Sequence, residues 1–496
     1  MSFRQQVTSG VFWAGLSMVG CRGLGFVIQI VLARILVPEY FGLVHLCTLT
    51  MDALQLFGEM GFSSALIYRR DQVREACDVT FFAATGTAVV LYAMAFVGAP
   101  LAGIFFRNSE VPSVLRVLSL VMVINSVGQV PFVLLARELD FRRRLVPDLV
   151  GAISYGLVAI SLALSGMGVW SLVLGRIAEA VVRVVLVWWV VPWRPTGAFD
   201  RGLAREMFAY GRHIIASKLL VFGITNVDDV FVGRMTSAAD LGYYGLAYSL
   251  SNLPATQITG LVNQIMFPAL SRLQVEVERM RQAFFQSMRY GSLLTIPIAV
   301  ATIIFARDFV YVVYGAKWAP AIVPIQFLGV YGGIRAVAAN MGNVFKAGGR
   351  PQWLTYIALW RLATMLLFLY PATKYWGIVG VSALSAGVAV VDFAITLVVV
   401  NRVLNARLMT YVRTLGPIFL TSLGAAGLAV LAQNAFEVTP HARIRLLMAA
   451  VVMGLTYTVT TWAWDRELRT FVGSLVADLR RPLGAGAATP SEGGER

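Results

Sequence analysis

Apolar residues in this chain run in long uninterrupted stretches, and a helix needs about 20 of them to cross a bilayer. Residues 79–106, 117–136, 414–436 and 446–464 carry no charge at all. Asp240 opens another uncharged stretch that ends at Ser271 and is kinked at Pro254. Stretches 10–33, 40–66, 285–306, 319–345, 353–371 and 376–400 tolerate one or two charges. The stretch 148–191 is long enough for two spans, with Ser165-Gly-Met-Gly168 as the turn between them. Segment 207–233 is the hardest to place, since it holds Arg212, Lys218, Asp228 and Asp229. If it spans, the pattern predicts fourteen transmembrane helices.

The positive charges favour that count. With fourteen spans and both termini inside, the inner segments are 1–9, 67–78, 137–147, 192–206, 268–290, 346–352, 401–413 and the tail from 465. They hold 25 of the 41 Lys/Arg, about three times the share of the outer loops, which is the bias cytoplasmic loops carry. Removing one span would scramble this alternation. The cluster Arg137, Arg142, Arg143 and Arg144 is the strongest inner marker. Basic amphipathic spacing in 465–481, 268–290 and 402–413 predicts helices lying in the headgroup layer. The last fifteen residues read as a disordered tail, and 10–33 as a retained first span rather than a removable signal.

Composition agrees and excludes other classes. Hydrophobic residues make up 58 % and charged residues 14 % of the 496, and mean hydropathy is +0.73. A soluble domain carries about 25 % charged residues. The fold class is therefore all-α polytopic membrane protein; a disordered chain, a coiled coil and a disulfide scaffold are excluded. The net charge of +15 is scattered through short loops and does not point to nucleic acid. Cys21, Cys47 and Cys77 have no metal or disulfide spacing.

The chain also repeats itself. Residues 33–43 (Ala-Arg-Ile-Leu-Val-Pro-Glu-Tyr-Phe-Gly-Leu) align without a gap on 233–243 (Gly-Arg-Met-Thr-Ser-Ala-Ala-Asp-Leu-Gly-Tyr), placing Arg34 on Arg234 and Gly42 on Gly242. Gly168-Val-Trp-Ser-Leu-Val echoes Gly377-Ile-Val-Gly-Val-Ser. The echoes predict two parallel six-span halves, 1–200 (N-lobe) and 201–413 (C-lobe). Two extra spans (414–464) and a cytoplasmic end (465–496) follow. Parallel repeats about an axis along the membrane normal are a transporter architecture, in which two halves rock around a shared site.

Ser9-Gly-Val-Phe-Trp, the stretch Leu32-Ala-Arg-Ile-Leu-Val-Pro-Glu-Tyr-Phe-Gly-Leu and the echo Asp240-Leu-Gly-Tyr-Tyr resemble the polysaccharide transporter family over about residues 1–410. That family lies within the multidrug/oligosaccharidyl-lipid/polysaccharide flippase superfamily and includes O-antigen and colanic-acid flippases. The resemblance implies a V-shaped, two-lobed protein of the bacterial inner membrane with a central cavity. It implies as substrate an undecaprenyl-diphosphate-linked oligosaccharide, moved from the inner to the outer leaflet. Membrane lipids and a polysaccharide polymerase or export machinery are the implied partners.

Ionisable side chains at bilayer depth cost about 2.5–3.5 kcal/mol or more on insertion scales. Arg22 and Gln29 are seven residues apart, as are Asp52 and Glu59. Arg176, Glu179 and Arg183 fall at i, i+3 and i+7; Lys218, Thr225 and Asp229 at i, i+7 and i+11. Each set shares a helix face, so spans 1, 2, 6 and 7 carry polar stripes suited to a wet cavity. A diphosphate is anionic, and guanidinium forks match its oxygens. Arg22 and Arg335 (beside Gly332-Gly333) are the leading diphosphate contacts, followed by Arg361 and Lys218. Alternatives stay open. Arg176, Glu179 and Arg183 would neutralise one another within their helix, and Asp392 would pair with Arg361. Asp228 and Asp229 would partner Lys218, line the outer mouth, or couple transport to an ion. Tyr243, Tyr244, Tyr311 and Tyr314 read as outer-face anchors before they read as sugar contacts.

No cofactor is expected, and the drive is left to a proton or sodium gradient or the membrane potential. The short outer loops hold Asp308, Glu437 and His441 without a catalytic constellation, which argues against a membrane glycosyltransferase or polymerase. A multidrug extruder favours cationic cargo, which buried Arg residues would repel. A peptidoglycan-precursor flippase shares the same chemistry, and only cargo assays separate it.

Overall fold

A computed structural model describes residues 20–58, 61–69, 71–138, 140–273, 276–435, 442–465 and 467–470. The side chains of 57, 210–217, 254–265 and 267–269 are not described. Glu59, the start of the first span, the side chains of Arg212 and His213, and most of the 465–481 segment with the tail therefore lie outside the described residues.

All regular structure among the described residues is helical. The long helices are α1 (20–35), α2 (Pro38–Gly58), α4 (Val73–Phe106), the kinked pair α5 (Val111–Leu118) and α6 (Leu120–Arg137), α7 (Phe141–Leu164) and α8 (Val169–Val190). A short α3 (Phe62–Tyr68) follows α2. Then come α9 (Arg201–Met235), α10 (Ala238–Arg272), α11 (Val277–Ile304), a short α12 (Ala306–Phe309), α13 (Ile322–Ala338) and α14 (Met341–Ala347). The last are α15 (Gln352–Leu404), α16 (Leu408–Ala435) and α17 (Ala442–Trp464). Side-chain caps fix several starts. Asp140 accepts from the Arg143 amide at 3.1 Å, and Ser237 and Asp240 form a reciprocal capping box at the head of α10.

Eight helices among the described residues are long and apolar enough to cross a membrane by themselves, including Val111–Arg137 and Ala316–Ala347. Their outer surfaces look like membrane surfaces. On α4, Ala84, Ala88, Ala95 and Ala99 are buried, while Val97, Leu101 and Ile104 are more than 70 % exposed. Small residues let helices approach, and the large aliphatic side chains face lipid.

Element boundaries depart from the sequence pattern in instructive places. The 40–66 stretch breaks after Gly58, and Gly61 in the left-handed region starts α3. The segments 268–290 and 402–413 are not separate surface helices: they hold the ends of α10 and α15 and the starts of α11 and α16. At 53 residues, α15 would be about 80 Å long. It is a hairpin, since Ile357 and Val400 share one hydrophobic cluster and Gly377 has φ 56° and ψ −141°. Gly168, its echo, has φ 54° and ψ −127° before α8. Both values belong to a region that only glycine enters at low cost.

The helices before residue 200 pack largely on one another, as α7 does on α8 and α6. Those after residue 235 do the same, α10 and α11 packing on α13, and α16 on α11 and α17. The seam between the groups is α2 against α10. There a Cβ on Gly42 would lie 1.6 Å from the Ala238 carbonyl oxygen, and a Cβ on Gly242 would lie 2.2 Å from that of Pro38. Position 42 meets 238 and 242 meets 38. Such reciprocity marks a two-fold axis, here a pseudo-two-fold relating residues 200 apart in one chain. Arg34 extends the seal by donating from Nε to the Val313 carbonyl at 2.6 Å and from Nη2 to Val312. Lys317 Nζ and Trp318 Nε1 donate to the carbonyls at the end of α1, Lys317 to Arg34 and to Leu36 just beyond the helix, and Trp318 to Ala33, where carbonyls lack partners within the helix.

Candidate functional site

Away from this sealed end, a cavity of about 750 Å3 opens between α1, α7, α8 and α10. It extends from Leu172 near the seal to Phe141 and Arg144 at the opposite end. Arg22, Gln29, Arg176, Glu179 and Arg183 all line it, so five of the residues singled out by spacing meet in one hollow.

The cavity is cationic because of how its charges pair. Asp148, on the first turns of α7, accepts from Arg183 Nη2 at 2.8 Å and from Arg144 Nε at 3.3 Å. Arg176 Nη1 donates to Glu179 at 3.0 Å, and its guanidinium lies 4.6 Å from the Tyr155 ring centre. Arg22 makes no ion pair among the described residues. Four guanidiniums therefore face two carboxylates, leaving two positive charges in excess. The alternative of a closed Arg176–Glu179–Arg183 network holds only for the first pair: Arg183 crosses to α7. Sequence reading overlooked Asp148 because it sits at the very edge of a span, and took Arg144 only as an inner-loop marker.

Arg335 and Arg361 occupy a different place. They line a tight pocket of about 20 Å3 among α9, α10, α13 and α15, together with Asp228, Tyr248 and Asp392. Arg335 donates to Tyr331 Oη at 3.1 Å and Asn252 Oδ1 at 3.3 Å, and Arg361 is bonded to Asp392. Arg22 and Arg335 do not share a hollow in this structure. Lys218 is half-buried and engaged, and Asp52 is exposed on α2. Asp228 accepts from Tyr244 Oη at 2.6 Å, and Asp229 Oδ2 lies 3.3 Å from His45 Nε2, a contact between α9 and α2 that spacing along one helix could not reveal. Tyr244 and Tyr314 are fully buried core residues and present no face to a sugar.

Next to the cationic cavity runs an apolar groove of about 660 Å3, walled by α10, α11 and α17. Phe26 and Leu253 line both. A polar, positively charged chamber and an oily channel thus share one wall.

Residues 31–323, more than half of the chain, match a family described as polysaccharide biosynthesis protein. The succinoglycan biosynthesis transport protein ExoT of Rhizobium meliloti (strain 1021) is 26 % identical over 97 % of this chain and 98 % of its own. Among solved structures, the lipid II flippase MurJ in an inward closed conformation superposes with a TM-score of 0.70 at 12 % identity, covering 91 % of this chain and 99 % of that one. An inward-facing multidrug resistance MATE family transporter of the MOP superfamily gives 0.61 at 15 % identity, over 79 % and 98 %. With its lipid-facing aliphatic surface and its pseudo-two-fold seam, the chain is a multi-pass membrane protein with the MOP transporter fold, and it belongs to the polysaccharide biosynthesis protein family.

Proposed function

We propose that this protein is a flippase, not an enzyme, that carries an undecaprenyl-diphosphate-linked oligosaccharide across the bacterial inner membrane. The observation that supports it best is the shared wall at Phe26 and Leu253. The cationic cavity suits an anionic diphosphate, whose unaided passage through hydrocarbon would cost tens of kcal/mol, on the order of the Born estimate. The apolar groove suits a prenyl chain, which never needs to leave an oily environment. In this reading the helices make fourteen crossings as two six-helix lobes plus α16 and α17, with both termini cytoplasmic. The sealed end is then periplasmic and the cavity lies toward the cytoplasm, a reading supported by the inward conformations of the two structures it superposes on.

Reconstitution with a fluorescent undecaprenyl-diphosphate sugar and a leaflet-accessibility readout tests this. Each charge-assisted contact contributes about 1.5–3 kcal/mol, so Arg22→Ala should slow transfer roughly tenfold to a hundredfold. Arg335→Ala, outside the cavity, should slow it less. Wild-type protein that leaves the lipid in its starting leaflet would refute the proposal.

Asp228 and Asp229 are the proposed coupling site for a proton or sodium ion, because they are buried carboxylates on α9, which packs on helices of both groups, and Asp229 touches α2 through His45. Asp228→Asn with Asp229→Asn should remove the dependence of transport on an imposed gradient. Unchanged dependence would reject this role.

A further inference from the structure

A second recess opens beside the cationic cavity, enclosed by α2, α3, α4 and α6, with a volume of about 410 Å3. Arg144 lines both hollows, so the two adjoin at that side chain. Their chemistry differs sharply. The recess is lined by Gln55, Ser63, Asn125, Ser126 and Gln129, and Arg144 at its mouth is its one ionisable lining group among the described residues.

We infer that this recess is a carbohydrate subsite, in which the sugar residues next to the diphosphate are held while the diphosphate occupies the cationic cavity. The inference rests on the flippase reading above and adds a place for the glycan.

A carboxamide presents two donors and an acceptor on one plane, which matches the paired hydroxyls of a pyranose; a charged group is not required. Among the described residues neither Gln55 nor Asn125 has a hydrogen-bond partner. Gln129 Nε2 donates to Ser63 Oγ at 2.6 Å, which fixes its orientation and leaves its oxygen able to accept. Amides inside a membrane bundle are costly when unsatisfied, so a cluster of them implies that something polar fills the space. Ala84, Ala88, Leu91 and Met122 form an aliphatic wall against which the C–H face of a sugar ring packs. The volume falls in the range that holds small ligands, about 300–1,000 Å3. Other occupants fit less well. A cation meets Arg144 at the mouth. A flat aromatic drug finds one ring, Phe132, already covered by the guanidiniums of Arg183 at 5.1 Å and Arg144 at 5.8 Å.

The test compares two lipids on the full-length protein in nanodiscs: undecaprenyl diphosphate, and undecaprenyl-diphosphate-linked glycan extracted from cells that make this protein. Wild type should bind the glycan-bearing lipid more tightly, and Asn125→Leu with Gln129→Leu should remove about tenfold of that preference, as loss of two neutral hydrogen bonds predicts. Ala88→Leu, which fills the recess without removing a polar group, should do the same. Arg22→Ala should weaken both lipids alike. The inference is overturned if both recess variants keep the preference for glycan, or if they weaken both lipids equally. If wild type binds neither lipid, the flippase reading falls and the subsite with it. That result is distinct from loss of the glycan preference alone.

Discussion

Gly42→Val is expected to move the protein out of its sealed conformation by tenfold to a hundredfold or more. The β-carbon alone would sit 1.6 Å from the Ala238 oxygen, 2.6 Å from its carbonyl carbon and 2.9 Å from the Gly242 nitrogen. Every one of these is a backbone atom, so no rotamer change relieves the clash. Overpacking costs about 1–3 kcal/mol where side chains can shift, and more where they cannot; 1.4 kcal/mol is a factor of ten. The contact joins the first turns of α2 and α10, so the helices splay at that end and the seal opens. Gly242→Val should act in the same direction, because its β-carbon meets Pro38 in the mirrored position. The double variant should go little further than either single one, since one separation relieves both clashes. A cysteine at Ala239, in a chain whose three native cysteines are replaced, reports the opening through its labelling rate with a membrane-impermeant maleimide. Unchanged labelling in both single variants would mean that the two backbones do not touch.

That seam was legible in the sequence, through the offset of 200 that pairs Gly42 with Gly242. The sequence carries more of the same repeat. Ile104-Phe-Phe-Arg107 matches Ile304-Phe-Ala-Arg307 at the same offset, at the ends of α4 and α11. An arginine of the other motif packs near each, at the end of α4 itself in one half and a few residues past the end of α11 in the other. Arg234 stacks over Phe105 at 5.4 Å, and Arg34 bonds the backbone at 312–313. The Gly168 and Gly377 echo likewise reflects one backbone geometry used twice. Internal repeats are readable because the same local demand, a close approach or a positive φ, selects the same residue in both halves.

The charge pairing was far less legible. Spacing along one helix tells which side chains share a face, and it correctly grouped Arg22 with Gln29 and Arg176 with Glu179. It does not tell which helix that face meets. Asp148 and Arg183 are 35 residues apart, and His45 and Asp229 are separated by most of one repeat. The same blindness put Arg22 and Arg335 in one expected hollow, whereas packing of α13 against α10 turns Arg335 to Tyr331 and Asn252. Tyr244 and Tyr314 show the converse error: the sequence reads them as outer-face anchors, but packing of the helices buries both in the core.

Arg361→Leu is expected to destabilise the protein by about 3–5 kcal/mol, the cost of leaving a buried charge without its partner. Asp392 makes no other ion pair among the described residues, and its Oδ1 is buried without a hydrogen bond even with Arg361 in place. The pair is therefore only half satisfied, and half-satisfied buried ion pairs are often matched or exceeded by apolar replacements of similar volume. Arg361→Leu combined with Asp392→Leu should recover most of the lost unfolding temperature in detergent, and it should equal or exceed wild type if desolvation outweighs the attraction. A double variant as unstable as the single one would show that the pair stabilises the bundle on its own account. Recovery of stability without recovery of lipid transfer would separate the two roles. The two arms of α15 would then tolerate an oily contact at this depth, and the charges would be retained for the conformational cycle, in which Arg335 shares the pocket and could take the place of Arg361 beside Asp392.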